Sequence, residues 1–582
     1  MTSVDDLFKK PGLPSGNLKR KLEVTDAEAA YKATKISNGS SPNGTHANID
    51  DAPEDDDDLE AGPELPPDDD EGGEDGDRFF GGGVTKATAS ALDYIDEQDA
   101  EDLPEEKIDS SWLRRLAVSF EKKVKKNSEQ RARYESEPQK FMASEADLDA
   151  EIQNWSLLSE HPELYSEFAH GEACGLLVGL LAHENTDIAI RAIEIISELL
   201  DEDVEAEQEQ WDGLANALLD ADLLDLLMSN LGRLQEDEES DQSGIYHSLS
   251  VMESLAGQQL MAESIGKEKV LMWLCNRIKV PEKICSQNKQ YAAEVLQVLL
   301  QSSSLLRKRF AVDVDGVDLF LQLLAPYRKR DPPKDSTEEE YAENIFDALI
   351  CVANEPNGKR KLIEAEGVEL ALIMVKEGSF SKIRALRLLD HACDGQDAAA
   401  MEVCERFVEA GGLKTTFGAF MKKSEAAPTE HLLGMFASLL RLLPAESAAR
   451  IRTLAKFAEK DYEKVDRLFA VRQDYVRSLG VVEKEIRSEQ STLEAEEAEE
   501  RADEFFSRRM EGGLYGLQTT DTILAWLVAE DTDAKKLIAT RLGGLGAVKM
   551  TLQEEVSRLD ALDAADQAER QEMLKALFEY VV

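Results

Sequence analysis

Gly266, Gly316, Gly367 and Gly412 recur at spacings of 50, 51 and 45 residues, and each opens the same pattern. An apolar helix follows the glycine, then a polar break, then a longer apolar helix. The stretch from Gly171 shows the pattern most clearly. Leu176-Leu177-Val178-Gly179-Leu180-Leu181 comes first, then the break His183-Glu184-Asn185-Thr186-Asp187, then a periodic run from Ile188 to Leu200. The 95 residues between Gly171 and Gly266 leave room for a further unit, which begins near Ala221 and carries Tyr246-His247-Ser248-Leu249 in its second helix. The last unit runs from Gly411-Gly412-Leu413 to Leu442-Leu443. A helical pair of this size cannot bury its apolar face alone, so neighbours must stack into one continuous core.

A period of this length with two or three helices per unit marks an armadillo or HEAT solenoid. No run alternates apolar and polar residues around a hairpin turn, so strands are not expected. The predicted fold is therefore all-α: an armadillo/HEAT-like right-handed superhelical solenoid with helical N- and C-terminal caps and a disordered acidic N-terminal tail. Residues 171–445 hold about six repeats, 109–170 an N-terminal helical cap and 446–582 a C-terminal helical region. The recurrent glycines are expected to supply the positive φ that a sharp turn between short helices needs.

Residues 1–108 are rich in Asp, Glu, Gly, Pro and Ser and poor in large apolar side chains. Such a composition cannot repay the entropy of folding. The opening MTSVDDLFKK has no apolar core, so no secretory leader is expected. A basic cluster, Lys19-Arg20-Lys21, lies in this tail with Lys9-Lys10 upstream. An extended basic cluster suits capture by an import receptor, and equally fits an ordinary charged turn.

The formal net charge is −52. Residues 50–77 hold 16 acidic residues and no basic one, which leaves 36 excess negative charges on the rest of the chain. Binding to nucleic acid depends on Lys and Arg neutralising phosphates, so no direct nucleic-acid partner is expected. Basic partners are favoured. One segment runs against the trend. Trp112, Leu116, Phe120 and Val124 share a helix face, and Arg114, Arg115, Lys122, Lys123, Lys125, Lys126, Arg131 and Arg133 lie away from it. This reads as a capping helix that docks on the acidic body or pairs with the acidic tail, with Asp109, Ser110 or Ser111 as its N-cap.

No catalytic constellation emerges. The seven histidines, His46, His161, His170, His183, His247, His391 and His431, fall in no metal-ligand spacing. His391-Ala392-Cys393 reads as a core histidine beside a buried thiol. Gly543-Gly544-Leu545-Gly546 lacks the preceding strand of a dinucleotide loop. The six cysteines are scattered without a CxxC pair, as in reduced intracellular proteins. No cofactor, metal or enzymatic activity is expected, and no apolar run is long enough to span a membrane. What remains is a surface. The last helix of each armadillo unit lines a groove, and here these helices carry acids in a recurring place: Glu198, Glu253, Glu294, Asp347 and Asp390. An acidic groove accepts a basic peptide through charge-assisted hydrogen bonds.

Four segments carry a resemblance to a known family. They are Pro138-Gln139-Lys140-Phe141-Met142-Ala143-Ser144-Glu145, Leu180-Leu181-Ala182-His183-Glu184-Asn185-Thr186-Asp187, Glu463-Lys464-Val465-Asp466-Arg467-Leu468, and Glu504-Phe505-Phe506-Ser507-Arg508-Arg509-Met510-Glu511-Gly512-Gly513-Leu514. In this order they resemble the beta-catenin-like protein 1 family of nuclear armadillo proteins, over roughly residues 110–520. The final sixty residues or so match poorly. The resemblance implies a non-enzymatic scaffold of the pre-mRNA splicing machinery in the nucleus. It also implies association with the NineTeen-type spliceosome activation complex and binding of basic, localisation-signal-like segments of splicing factors. A nuclear transport adaptor for basic cargo is the alternative, against which stands the lack of a Trp and Asn ladder. A homodimer is possible on either reading.

Overall fold

A computed structural model describes residues 107–422, 426–493, 497, 501–562 and 568–581. The Lys19-Arg20-Lys21 cluster and the acidic tract lie outside these residues. Among the described residues every regular element is helical.

The longer helix of each unit forms a ladder in which every rung packs on the next. In chain order the rungs are α1 (Met142–Gln153), α2 (Thr186–Leu199), α3 (Glu239–Ala256), α4 (Gln287–Ser302), α5 (Thr337–Ala353), α6 (Phe380–Cys393), α7 (Ala426–Leu442) and α8 (Leu514–Glu530). Two shorter helices precede each of α2 to α7, for example Ser304–Val312 and Gly316–Leu324 before α5. This is the three-helix armadillo unit, six times over. The rungs supply the core: Leu249, Leu296, Phe346, Leu389 and Phe436 are all fully buried. Two further rungs extend the ladder. α1 lies in the stretch read as the N-terminal cap, and α8 in the C-terminal helical region.

The recurrent glycines do a different job from the one expected. Gly316, Gly367 and Gly412 do not have positive φ; the residue before each does, at Asp315 (53°), Glu366 (55°) and Gly411 (81°). Asp222 (64°) takes the same place in the α3 unit. The glycines are needed for room instead. A Cβ on Gly316 would lie 2.0 Å from the Phe310 ring, one on Gly367 2.4 Å from Leu362, and one on Gly412 2.6 Å from Phe407. At these three turns a residue without a side chain lets the second helix of the unit start against the end of the first.

The Ser110–Arg133 helix begins at Asp109, whose carboxylate accepts from the Ser111 and Trp112 amides at 2.8 and 3.0 Å. Its apolar side buries Trp112, Leu116 and Phe120. Its basic side docks on the body: Lys123 pairs with Glu151 at 2.6 Å and Lys126 with Asp147 at 2.8 Å, both on α1. At the other end the Ala448–Gln490 helix turns a corner at Lys460, Asp461 and Tyr462, three consecutive non-glycine residues with left-handed backbone. Such residues cost roughly 1–2 kcal/mol each. The corner is fastened on both sides, by Lys464 to Glu459 at 3.0 Å and by the Tyr462 hydroxyl to Asp531 at 2.7 Å. Arg472, further along, reaches the buried Asp521 of α8 at 2.6 and 3.0 Å. Three closing helices, Thr532–Leu542, Gly546–Leu562 and Ala568–Tyr580, pack against α8.

Candidate interaction face

The five acids named from sequence fall on five successive rungs, α2 to α6. Their surroundings differ. Glu198 on α2 is half-buried, and its Oε2 has no hydrogen-bond partner. Burial raises its pKa, against a hydrogen bond from Ser156. Glu253 on α3 accepts the Tyr291 hydroxyl of α4 at 2.6 Å. Glu294 on α4 accepts the Gln290 side-chain amide of its own helix at 2.7 Å. Asp347 on α5 pairs with Arg387 of α6 at 2.8 Å; burial nonetheless raises its pKa. Asp390 on α6 meets His431 Nδ1 of α7 at 3.0 Å, and burial pushes its pKa up to about 6.

Glu253, Asp347 and Asp390 thus join one rung to the next. Further cross-links follow the same rule: Asp149 of α1 with Arg191 of α2, Ser197 of α2 with Ser250 of α3, and Glu343 of α5 with Arg384 of α6. In the second half of the ladder Arg384, Arg387 and Arg441 neutralise the acids beside them.

The first half keeps an excess of acid. A cleft of about 520 Å³ opens where α1, α2 and α3 meet. Glu145, Asp149, Asp187 and Glu194 line it against one cation, Arg191, over an apolar floor of Ile188 and Ile190. Arg191 is held between Asp149 at 3.2 Å and Glu194 at 2.6 Å. Glu145 accepts from Asn185 at 3.3 Å and from Arg131 of the N-terminal helix. Asp187 is exposed at the start of α2. The arrangement offers carboxylate oxygens and apolar contact together, which suits the head and stem of a Lys or Arg side chain. Sequence reading missed these four acids. The i,i+4 pair Glu145 and Asp149 is a signal, but α1 carries too few apolar residues to read as a rung.

Other candidates resolve into structure. The His391 ring meets the Asn354 side chain at 3.0 Å, and the Cys404 thiol donates to the Cys393 carbonyl at 3.6 Å. All six cysteines are free thiols. Among the described residues no three His, Cys, Asp or Glu side chains converge on a metal position, and no helix is long and apolar enough to cross a membrane. Of the five tryptophans only Trp526 lies on a rung.

A ladder of stacked three-helix units with a polar, rung-lined face defines an armadillo-type scaffold. Residues 89–557 match the family described as catenin-beta-like, Arm-motif containing, nuclear, and the chain belongs to that family. It is 38% identical over 467 residues to the beta-catenin-like protein 1 homolog of Schizosaccharomyces pombe, spanning 80% of this chain and 81% of that one. It is 34% identical over 432 residues to beta-catenin-like protein 1 of Homo sapiens, spanning 72% of this chain and 76% of the human one. Among solved structures, an engineered protein aligns at 15% identity with a TM-score of 0.46, covering 75% of this chain and 95% of its own.

Proposed function

We propose that this chain is a non-catalytic scaffold of the nucleus that holds basic, extended segments of splicing proteins on the first rungs of its ladder. The observation that carries the reading is the cleft between α1, α2 and α3, whose four carboxylates face two guanidinium groups, Arg191 within it and Arg131 at Glu145. Half-buried Glu198, with one carboxylate oxygen unpartnered, lies further along α2. Membership of a family described as nuclear supports the compartment. The splicing role rests on the resemblance described above. The placing of the tryptophans gives no support to a transport adaptor.

The test is fluorescence anisotropy of the full chain with a labelled lysine- and arginine-rich peptide. Asp187→Lys with Glu194→Lys should weaken binding about tenfold or more, as reversing two contacts of about 0.5–1 kcal/mol each implies. Unchanged affinity at low salt would place the basic segment elsewhere. Mass spectrometry of proteins co-purified with the tagged chain tests the splicing role, and recovery of no splicing protein would refute it.

A further inference from the structure

One edge of this acidic chain is basic. The connections leading into α4, α5 and α6 are residues 280–286, 325–336 and 378–379, and they lie side by side. Thr337 donates its hydroxyl to the Cys285 carbonyl at 2.8 Å and Tyr341 to the Ile278 carbonyl at 3.1 Å. Ser381 donates to the Tyr327 carbonyl at 2.9 Å, and the Phe380 amide to Asp331 at 3.0 Å. Lys279, Lys283, Arg328 and Lys334 are exposed along this edge. Among the described residues none of the four has a carboxylate within ion-pair distance; Lys329 and Arg330, beside them, do, in Glu377 and Glu338. The acids that share the edge are largely occupied. Glu282 is tied to Arg277 at 2.9 Å, Asp331 to the Phe380 amide, and Glu338 to Arg330 and Tyr327; Asp335 is exposed. The edge also shows apolar side chains to water: Ile284 is 84% exposed and Val280 46%. The corresponding connection before α3 is acidic instead, with Glu236, Asp237 and Glu238.

We infer that this edge docks an acidic protein segment with apolar residues among its carboxylates. Unpaired ammonium and guanidinium groups would take the carboxylates, and Ile284 and Val280 the apolar side chains. A nucleic-acid strand fits less well, because such strands are held by aromatic rings free to stack on bases. Here the rings are committed: Tyr327 packs on Phe380, Phe380 lies under Arg384, and Tyr341 lies under Lys289. Helices packed about 8–10 Å apart make the edge roughly 20 Å long, enough for about six extended residues. The net charge of −52 opposes long-range attraction of such a partner, so only a short segment pressed against the edge is favoured.

The experiment uses the full chain and a fluorescein-labelled peptide of alternating aspartate and leucine, read by anisotropy. Saturable binding is expected. Lys283→Glu with Lys334→Glu should weaken it roughly tenfold, and Ile284→Ser several-fold, since the first removes two ion pairs and the second an apolar contact. The lysine- and arginine-rich peptide should bind both variants as it binds the parent, which separates this edge from the acidic cleft. These side chains are exposed, so the variants should melt as the parent does. Absence of saturable binding, or unchanged affinity in both variants, overturns the inference. So does tighter binding of an oligouridylate that Ile284→Ser leaves untouched.

Discussion

Gly434 of α7 approaches Asp390 of α6 so closely that a Cβ on the glycine would lie 2.2 Å from the aspartate Oδ1. The carboxylate fits between two rungs only because the second offers bare backbone there. Gly434→Ala gains about 1 kcal/mol of helix propensity. It loses about 1–3 kcal/mol by overpacking against a short, buried side chain. The expected net result is a lower denaturation midpoint. In an Asp390→Ala background the same substitution should cost less or stabilise. A double-mutant cycle in urea measures this coupling, and additive effects would disprove the contact.

Asp390 also sets a pH dependence. Its pKa is about 6 in the folded chain, raised from 3.8 by burial and opposed by His431; Asp394 nearby raises it further. The folded state therefore holds this proton more tightly than the unfolded one. The resulting stabilisation is complete below about pH 3.8 and is lost as pH rises through about 6. Asp390→Asn removes that dependence. The melting temperature of the parent minus that of Asp390→Asn should fall between pH 4.5 and pH 7, and a flat difference would contradict the assignment.

The unit turns separate two demands that sequence merges. Gly316→Ala places a methyl 2.0 Å from the Phe310 ring and should destabilise by about 1–3 kcal/mol. Glu366→Gly removes a non-glycine residue from left-handed backbone and should stabilise by up to about 1 kcal/mol. Chemical denaturation of the two variants checks the opposite signs.

Arg387 keeps the Asp347 carboxylate charged in a partly buried place. Arg387→Ala should cost about 2 kcal/mol near neutral pH, the order expected for a partly buried charge left unpaired. The cost should shrink in acid, where Asp347 takes up a proton instead. Urea denaturation at pH 5 and pH 7.5 distinguishes this from a loss of packing, which would not change with pH.

The six central units were legible because their rungs carry a clean apolar stripe; Ile188, Ile193, Ile196 and Leu200 announce α2 unaided. The outer rungs were not. α1 buries Ser144 and Glu151 among few apolar residues, and α8 buries Thr519, Thr520, Asp521 and Thr522. Asp521 looks like a surface residue until Arg472, 49 positions earlier, comes within 2.6 Å. The acidic face shows the same limit. Acids recur visibly along the rungs, but the partners of Asp347 and Asp390 lie 40 and 41 residues further on, and no local pattern marks the pairing. The acids of the cleft escaped because the rung that carries two of them did.

The placing of α8 has a consequence for how the chain is made. Every rung from α1 to α6 finds the next one within a single unit of sequence. α8 packs on α7 across about seventy intervening residues. At roughly 5–20 residues per second, a ribosome takes several seconds to cross that stretch. During that interval α7 is finished, but the side of it that α8 covers is still bare. The nascent protein is therefore sticky at its growing end for longer than at any earlier rung. That pause is where a cellular chaperone would have the most to protect.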